Sequence, residues 1–135
     1  RKYWATAYVY PAGEFAGHDP FKPIELEKGQ EVTIAYALKL LTNWETSWML
    51  VPVINGKPLP KRRHSHVPKQ PSDRTKWEFG APGTFEVSIP DEPGTYEVEI
   101  ASWNTPYLSY EEKTRLNPRP DNSNGSNSLT FVVKE

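Results

Sequence analysis

The chain has 135 residues, with 16 Lys and Arg against 17 Asp and Glu and a net charge of −1 at pH 7. This length fits one domain over residues 1–135, and the near-neutral charge provides no overall field for nucleic acid or an anionic membrane. The sequence has no Cys and no apolar run of the roughly 18 to 20 residues that a spanning helix needs, which excludes disulfides, thiolate chemistry and helical membrane insertion.

The first predicted element is a strand over residues 2–10, within an N-terminal segment 1–11 that ends at Pro11. Both of its faces are rich in apolar residues, with Tyr3, Ala5, Ala7 and Val9 on one face and Trp4, Thr6, Tyr8 and Tyr10 on the other. A strand at a chain end normally has one wet face. We therefore expect this strand to complete a sheet edge, either in its own chain or in a neighbour.

Further strands with strict alternation follow in chain order. Their inward residues are predicted to be Val32, Ile34, Tyr36, Leu38 and Leu40, then Phe85, Val87 and Ile89, then Tyr96, Val98 and Ile100, and finally Leu129, Phe131 and Val133. Between the strand that contains Val32 and the strand that contains Phe85, the pair Asn55-Gly56 indicates a hairpin with a type I′ turn. Pro52 in that hairpin indicates an edge position or a bulge, and the basic stretch 61–77 is predicted to be a connection.

A long segment, residues 102–128, separates the last two strands and exceeds the length expected of a structureless connection. Ser109 and Glu112 fit a capping box, and Asn117-Pro118 is a stop signal, so the segment is predicted to contain one short helix. The polar remainder includes Asn124, which fits the pattern for N-glycosylation.

These elements predict an all-β fold, an antiparallel Ig-like β-sandwich of about seven strands with a long insert before the last strand; a barrel is the alternative. Three stretches carry a family resemblance: LEKGQEVTI, VPVINGKPLP and IPDEPGTYEVEIASW. With them the chain resembles the immunoglobulin-like modules of prokaryotic surface proteins, including the CARDB type. The resemblance implies an extracellular or cell-surface protein that serves as a spacer, an adhesion unit, an accessory domain or a filament subunit.

The sequence gives little support for catalysis or for a metal centre. His64 and His66 would share one face of a strand, and His18-Asp19 could add ligands, but a metal site needs three or four converging ligands. Two pairs of carboxylates have strand spacing, Glu25 with Glu27 and Glu97 with Glu99. They fit the solvent-exposed face of a sheet better than the acid and nucleophile of a glycosidase. We therefore predict no catalytic residue, no metal and no cofactor, and a protein that is not an enzyme.

Positive charge is concentrated between Lys57 and His66, and Lys69, Arg74 and Lys76 continue it. Such a cluster could bind an acidic polysaccharide or a neighbouring acidic surface. Lys and Arg at a strand edge also discourage unwanted pairing with another chain, and this second interpretation is favoured.

Strand alternation assigns Trp48 and Trp103 to different faces of the predicted sheets. Trp48 is in phase with Leu50 and is predicted to be a core residue. Trp103 is on the outer face, where it forms a sugar-binding platform with Tyr107 and Tyr110 or is buried under its own long loop.

The leading hypothesis is a non-enzymatic extracellular structural protein that self-associates by β-strand addition into a filament or surface assembly. Its subunit interface is predicted to consist of Tyr3, Trp4, Tyr8, Val9 and Tyr10. The alternative is a carbohydrate-binding or adhesive module that contacts polysaccharide through Trp103, Tyr107 and Tyr110. Neither hypothesis involves nucleic acid or membrane insertion.

Overall fold

A computed structural model describes residues 5–40, 46–67, 78–104 and 127–135. Within these ranges lie nine β-strands and a short 3₁₀ helix at Gly13–Phe15. The strands are β1 (Ala5–Pro11), β2 (Ile24–Leu26), β3 (Glu31–Leu40), β4 (Thr46–Ile54), β5 (Lys57–Pro58), β6 (Arg63–Val67), β7 (Glu78–Ser88), β8 (Gly94–Asn104) and β9 (Leu129–Val133). The predicted all-β class is confirmed, and in the described ranges no helix is long and apolar enough to cross a membrane.

The strands form two sheets packed face to face. The smaller sheet has the order β1-β3-β7, and the larger has the order β2-β9-β8-β4-β5, with β6 also paired to β4. All pairs are antiparallel except β2 with β9, which is parallel. The chain therefore enters the smaller sheet with β1 and moves to the edge of the larger sheet with β2.

The core lies between the sheets and follows the period-two pattern of the sequence. Residues from both sheets share one buried cluster, including Val32, Ile34, Tyr36, Leu38, Trp48, Leu50, Phe85, Val87, Val98, Ile100, Leu129, Phe131 and Val133. Trp48 is fully buried in this cluster, which confirms its predicted place in the core.

The hairpin between β4 and β5 turns at Asn55 and Gly56, whose φ angles are 48° and 80°. Two positive φ values are the signature of the predicted type I′ turn. The Asn55 side chain also reaches the neighbouring strand, where its Oδ1 accepts a hydrogen bond from Glu97 N at 2.8 Å. One residue therefore makes the turn and fastens it to β8.

Pro52 lies in β4, which has neighbouring strands on both sides. Its carbonyl accepts a hydrogen bond from Leu59 N at 2.9 Å, so the backbone of Pro52 faces the interval between β5 and β6. Proline has no N–H to donate toward Leu59, and the Leu59 carbonyl accepts a hydrogen bond from Arg62 Nη1 instead. The residue thus occupies a local edge inside a central strand.

Two strands were absent from the sequence-based assignment. β6 lies inside the stretch 61–77, so the prediction of a connection there is wrong for Arg63–Val67. β2 is a three-residue strand, too short to show a period. In both cases the strand forms because a neighbouring strand supplies hydrogen bonds, since β6 pairs with β4 and β2 with β9.

Tyr96 fastens the entry to β8. Its hydroxyl donates to the carbonyl of Glu92 at 2.6 Å, four residues upstream, in the manner of a tyrosine corner. We expect Tyr96→Phe to lower the free energy of unfolding by about 1 kcal/mol, because it removes one hydrogen bond and keeps the ring. Urea denaturation measures this change, and Tyr10→Phe is the matched control; equal effects of the two variants would contradict a role for the Tyr96 hydroxyl.

Candidate functional site

The β1 strand pairs with β3 of its own chain. Val9 lies opposite Tyr36 in an antiparallel register, and Val9 is buried in the core. For residues 5–11 the edge completed by the N-terminal strand is thus that of its own sheet. Tyr3 and Trp4 lie outside the described residues.

Within the described ranges, the outer edge of β1 is bonded to a side chain and to no further strand. Val9 N donates to Asn127 Oδ1, and Asn127 Nδ2 donates to Val9 O, both at 2.7 Å. Asn127 lies just before β9, 118 positions from Val9 along the chain. One carboxamide therefore satisfies both backbone groups of Val9.

An apolar groove of about 510 Å³ lies beside this edge, and we call it the β1 groove. It is lined by Tyr8, Val9, Tyr10, Pro20, Phe21, Ala37 and Asn127. The large hydrophobic side chains exposed in the described ranges are Tyr10, at 43% exposure, and Phe21, at 85%, and both line this groove. The groove has no charged lining residue within the described part of the chain.

The other edge of the smaller sheet, β7, is covered by cations. Lys61 Nζ donates to the carbonyl of Glu86, and Arg63 Nε donates to the carbonyl of Thr84 at 2.8 Å. The Arg63 guanidinium also lies 5.5 Å from the centroid of the Phe85 ring. Part of the basic stretch is therefore committed to contacts along β7, as expected for charges that protect a sheet edge.

The outer face of the larger sheet carries a second buried cluster, which we call the outer cluster. It consists of Met49, Val51, Val53, Ala101 and Trp103. Trp103 lies opposite Met49 in the register of β4 and β8 and is 7% exposed. Its outward phase agrees with the sequence pattern, but a buried indole has no face available to a sugar ring. Tyr107 and Tyr110 lie outside the described residues, as does Asn124.

The two histidines of β6 are both exposed and lie on the face of the outer cluster. His64 is opposite Met49 and His66 opposite Ser47, with Ser47 Oγ 3.1 Å from His66 Nδ1. Over the ranges that the structure describes, no group of three His, Cys, Asp or Glu side chains is placed to hold a metal ion.

The carboxylate pairs lie on strand surfaces. Glu25 of β2 forms an ion pair with Lys134, with 2.9 Å between Oε2 and Nζ, and this contact raises the pKa of the Lys134 amine. Both groups are largely exposed, so the pair adds little stability. Glu97 is exposed on β8, and Glu99, on the same face, is half-buried.

Similarity to solved structures identifies the architecture. The crystal structure of the CARDB domain of a Pyrococcus furiosus protein, in complex with di-metal ions, matches 98% of this chain and 94% of its own at a TM-score of 0.55 and 16% identity. A solution NMR structure of that domain gives a TM-score of 0.57 at 12% identity, over 98% and 96% of the two chains. The fold is CARDB-like. The resemblance read from the sequence is thereby confirmed at the level of the fold.

The similarity does not extend beyond the fold. The alkylpurine DNA glycosylase AlkC of Pseudomonas fluorescens, bound to DNA containing an abasic site analog, covers 99% of this chain but only 31% of the enzyme, at a TM-score of 0.50 and 11% identity. No protein-family model and no curated protein matches the sequence. At such identities the CARDB-like fold carries no ligand or activity with it.

The sequence pattern identified three of the seven described residues that line the β1 groove. It selected Tyr8, Val9 and Tyr10 because the strand had two apolar faces. It missed Pro20, Phe21, Ala37 and Asn127, which are distant in sequence from β1. The Phe21 position in a Pro-flanked connection gave one usable signal, since a large aromatic residue between two prolines has little chance of reaching a core.

Proposed function

We propose that this chain is a non-enzymatic CARDB-like module of a prokaryotic surface protein, and that it acts as a structural element by binding a second copy of itself. The observation that carries the proposal is the β1 groove, because Tyr10 and Phe21 are both exposed and both line it. Exposed aromatic groups at a concave surface are typical of contact sites between proteins.

The electrostatics of the groove favour a second copy as the partner. A two-fold interface places one patch against the same patch of the other molecule, so a patch with a net charge faces a patch with the same net charge. The residues that line the β1 groove in the described ranges carry no charge, and such a patch can face itself without repulsion. Residues 5–11 of β1 pair with β3 of their own chain, so this part of β1 is not donated to the sheet of a neighbour. We therefore expect the contact to produce a closed dimer and not a filament built by strand donation.

The contact is tested by removing its aromatic groups. We expect Tyr10→Ser combined with Phe21→Ser to weaken self-association at least about tenfold, since burying one large apolar side chain contributes about 1.5 to 3 kcal/mol. Sedimentation equilibrium measures the association constant. Lys28→Ser, an exposed substitution in the turn before β3, is the control and should leave it unchanged. An unchanged constant in the double variant would contradict the proposal.

Carbohydrate binding is the second candidate function. The exposed rings of Tyr10 and Phe21 are better suited to bind a sugar than the buried ring of Trp103. Sugar rings stack on accessible aromatic faces, and the rings of Tyr10 and Phe21 are both exposed. Retention of the monomeric protein on a polysaccharide column, abolished by the same double variant, would support this candidate over self-association.

A further inference from the structure

The contact between Asn127 and Val9 has the chemistry of strand pairing. The Asn side chain ends in a carboxamide, which is the same group as a backbone peptide unit. Its oxygen accepts from Val9 N and its nitrogen donates to Val9 O, both at 2.7 Å. A residue in an antiparallel partner strand exchanges this same pair of bonds with the residue opposite. Asn127 therefore occupies the position of a partner strand for one residue.

Alternation identifies which other groups face this edge. Since the backbone of Val9 is directed away from β3, the backbones of Ala7 and Pro11 are directed the same way. Tyr8 and Tyr10 use their backbone groups toward β3, and their side chains line the β1 groove. The outer edge is thus a short run of pairing groups centred on Val9, bordered by aromatic side chains.

We propose that Asn127 is a latch on this edge, and that β1 of a second copy displaces it by pairing antiparallel about Val9. The inference rests on the proposed function and adds to it the geometry of the contact and a residue that limits it. Each protomer must open its own Asn127 contact before the strands pair. Self-association of the unaltered chain is thereby weakened but retained.

The two-fold arrangement specifies the register. With Val9 opposite Val9 of the second copy, Tyr8 lies opposite Tyr10 of that copy, and the aromatic pairs extend the two β1 grooves across the axis. Ala7 lies opposite Pro11, whose carbonyl can accept but whose nitrogen has no hydrogen to donate. Proline therefore stops the pairing at each end of this central run.

Releasing the latch is expected to strengthen association. Asn127→Ala removes two hydrogen bonds per protomer that the dimer must otherwise break, so we expect the association constant measured by sedimentation equilibrium to rise at least about tenfold. Ser128→Ala, at the adjacent half-buried position, is the control and should not change it. A thermal unfolding curve establishes that each variant is folded.

The absence of cysteine from the sequence permits a direct test of register. Tyr8→Cys and Tyr10→Cys are each introduced into the Asn127→Ala chain, and the two proteins are oxidised separately and as a mixture. Opposed residues of paired strands have Cα atoms about 4.5 to 5.5 Å apart, within reach of a disulfide. We expect a covalent dimer in the mixture and little in either protein alone. Equal cross-linking in all three samples would overturn the register.

The outcomes separate the latch from the proposed function. If the unaltered chain associates and Asn127→Ala associates no more strongly, the latch is overturned while the proposed function stands. If Asn127→Ala dimerises and the unaltered chain stays monomeric at all concentrations, the latch is supported and the proposed function of the unaltered chain fails. If neither chain associates, both are overturned.

Discussion

Replacing Trp103 by Ala is expected to lower the free energy of unfolding by about 3 kcal/mol, the cost typical of removing a large aromatic side chain from a packed cluster. Trp103 is only 7% exposed and belongs to the outer cluster with Met49 and Val51. An exposed tryptophan that served as a sugar platform would instead cost less than about 0.5 kcal/mol on removal. Denaturant titration of the variant thus distinguishes a structural Trp103 from a ligand-binding one.

The indole nitrogen of Trp103 supplies the matched variant. This buried N–H has no hydrogen-bond partner among the residues that the structure describes, so the fold gains nothing from its polarity. Trp103→Phe keeps a buried ring and removes the unpaired donor, and we expect it to change stability by less than about 1.5 kcal/mol. A loss as large as that of Trp103→Ala would contradict this prediction.

Gly83→Ala is the second large effect, with an expected loss of about 1 to 3 kcal/mol from overpacking. A Cβ added at Gly83 would lie 2.6 Å from Cζ of Tyr36, closer than non-bonded carbons approach. Tyr36 lies opposite Gly83 in the register of β3 and β7, and its ring is 2% exposed. The ring centroid of Phe85 lies 5.4 Å from that of Tyr36 and limits its movement. The phenol ring therefore occupies the space that any side chain at position 83 would need.

A double-mutant cycle tests this explanation. Tyr36→Leu removes the ring, so we expect Gly83→Ala to cost less than about 0.5 kcal/mol in that background, measured by urea denaturation. Thr84→Ala, at the next and exposed position of β7, is the control for general effects on the strand. An unchanged cost of Gly83→Ala after removal of the ring would exclude the steric explanation.

The core could be predicted from the sequence because one physical rule places it. Alternation assigned Val32, Phe85, Val98 and Phe131 to the interior, and all four are buried there. The turn at Asn55 could be predicted equally well, because positive φ angles at two successive positions restrict the residue types there. Information of this kind is local, and the sequence displays it directly.

The edges could not be predicted because they depend on contacts between distant segments. Nothing near Asn127 indicates that its carboxamide bonds to Val9, and the basic stretch does not reveal that Arg63 donates to Thr84. Parallel pairing of β2 with β9 is likewise a tertiary contact. The candidate site lies at such an edge, so its residues were only partly identifiable from the sequence.

In the part of the chain that the structure describes, both edges of the smaller sheet are bonded by side chains and not by a further strand. Asn127 bonds to β1, whereas Lys61 and Arg63 donate to carbonyls of β7. Charged donors at β7 carry like charges toward any second copy, which opposes pairing there. The neutral carboxamide at β1 introduces no such repulsion, and this contrast favours self-association through β1.

Self-association through β1 is tested by sedimentation velocity of the unaltered chain over a wide range of concentrations. We expect a sedimentation coefficient that rises with concentration toward that of a dimer, and a smaller rise when Tyr10 and Phe21 are both replaced by Ser. A single monomeric species at every concentration would contradict it.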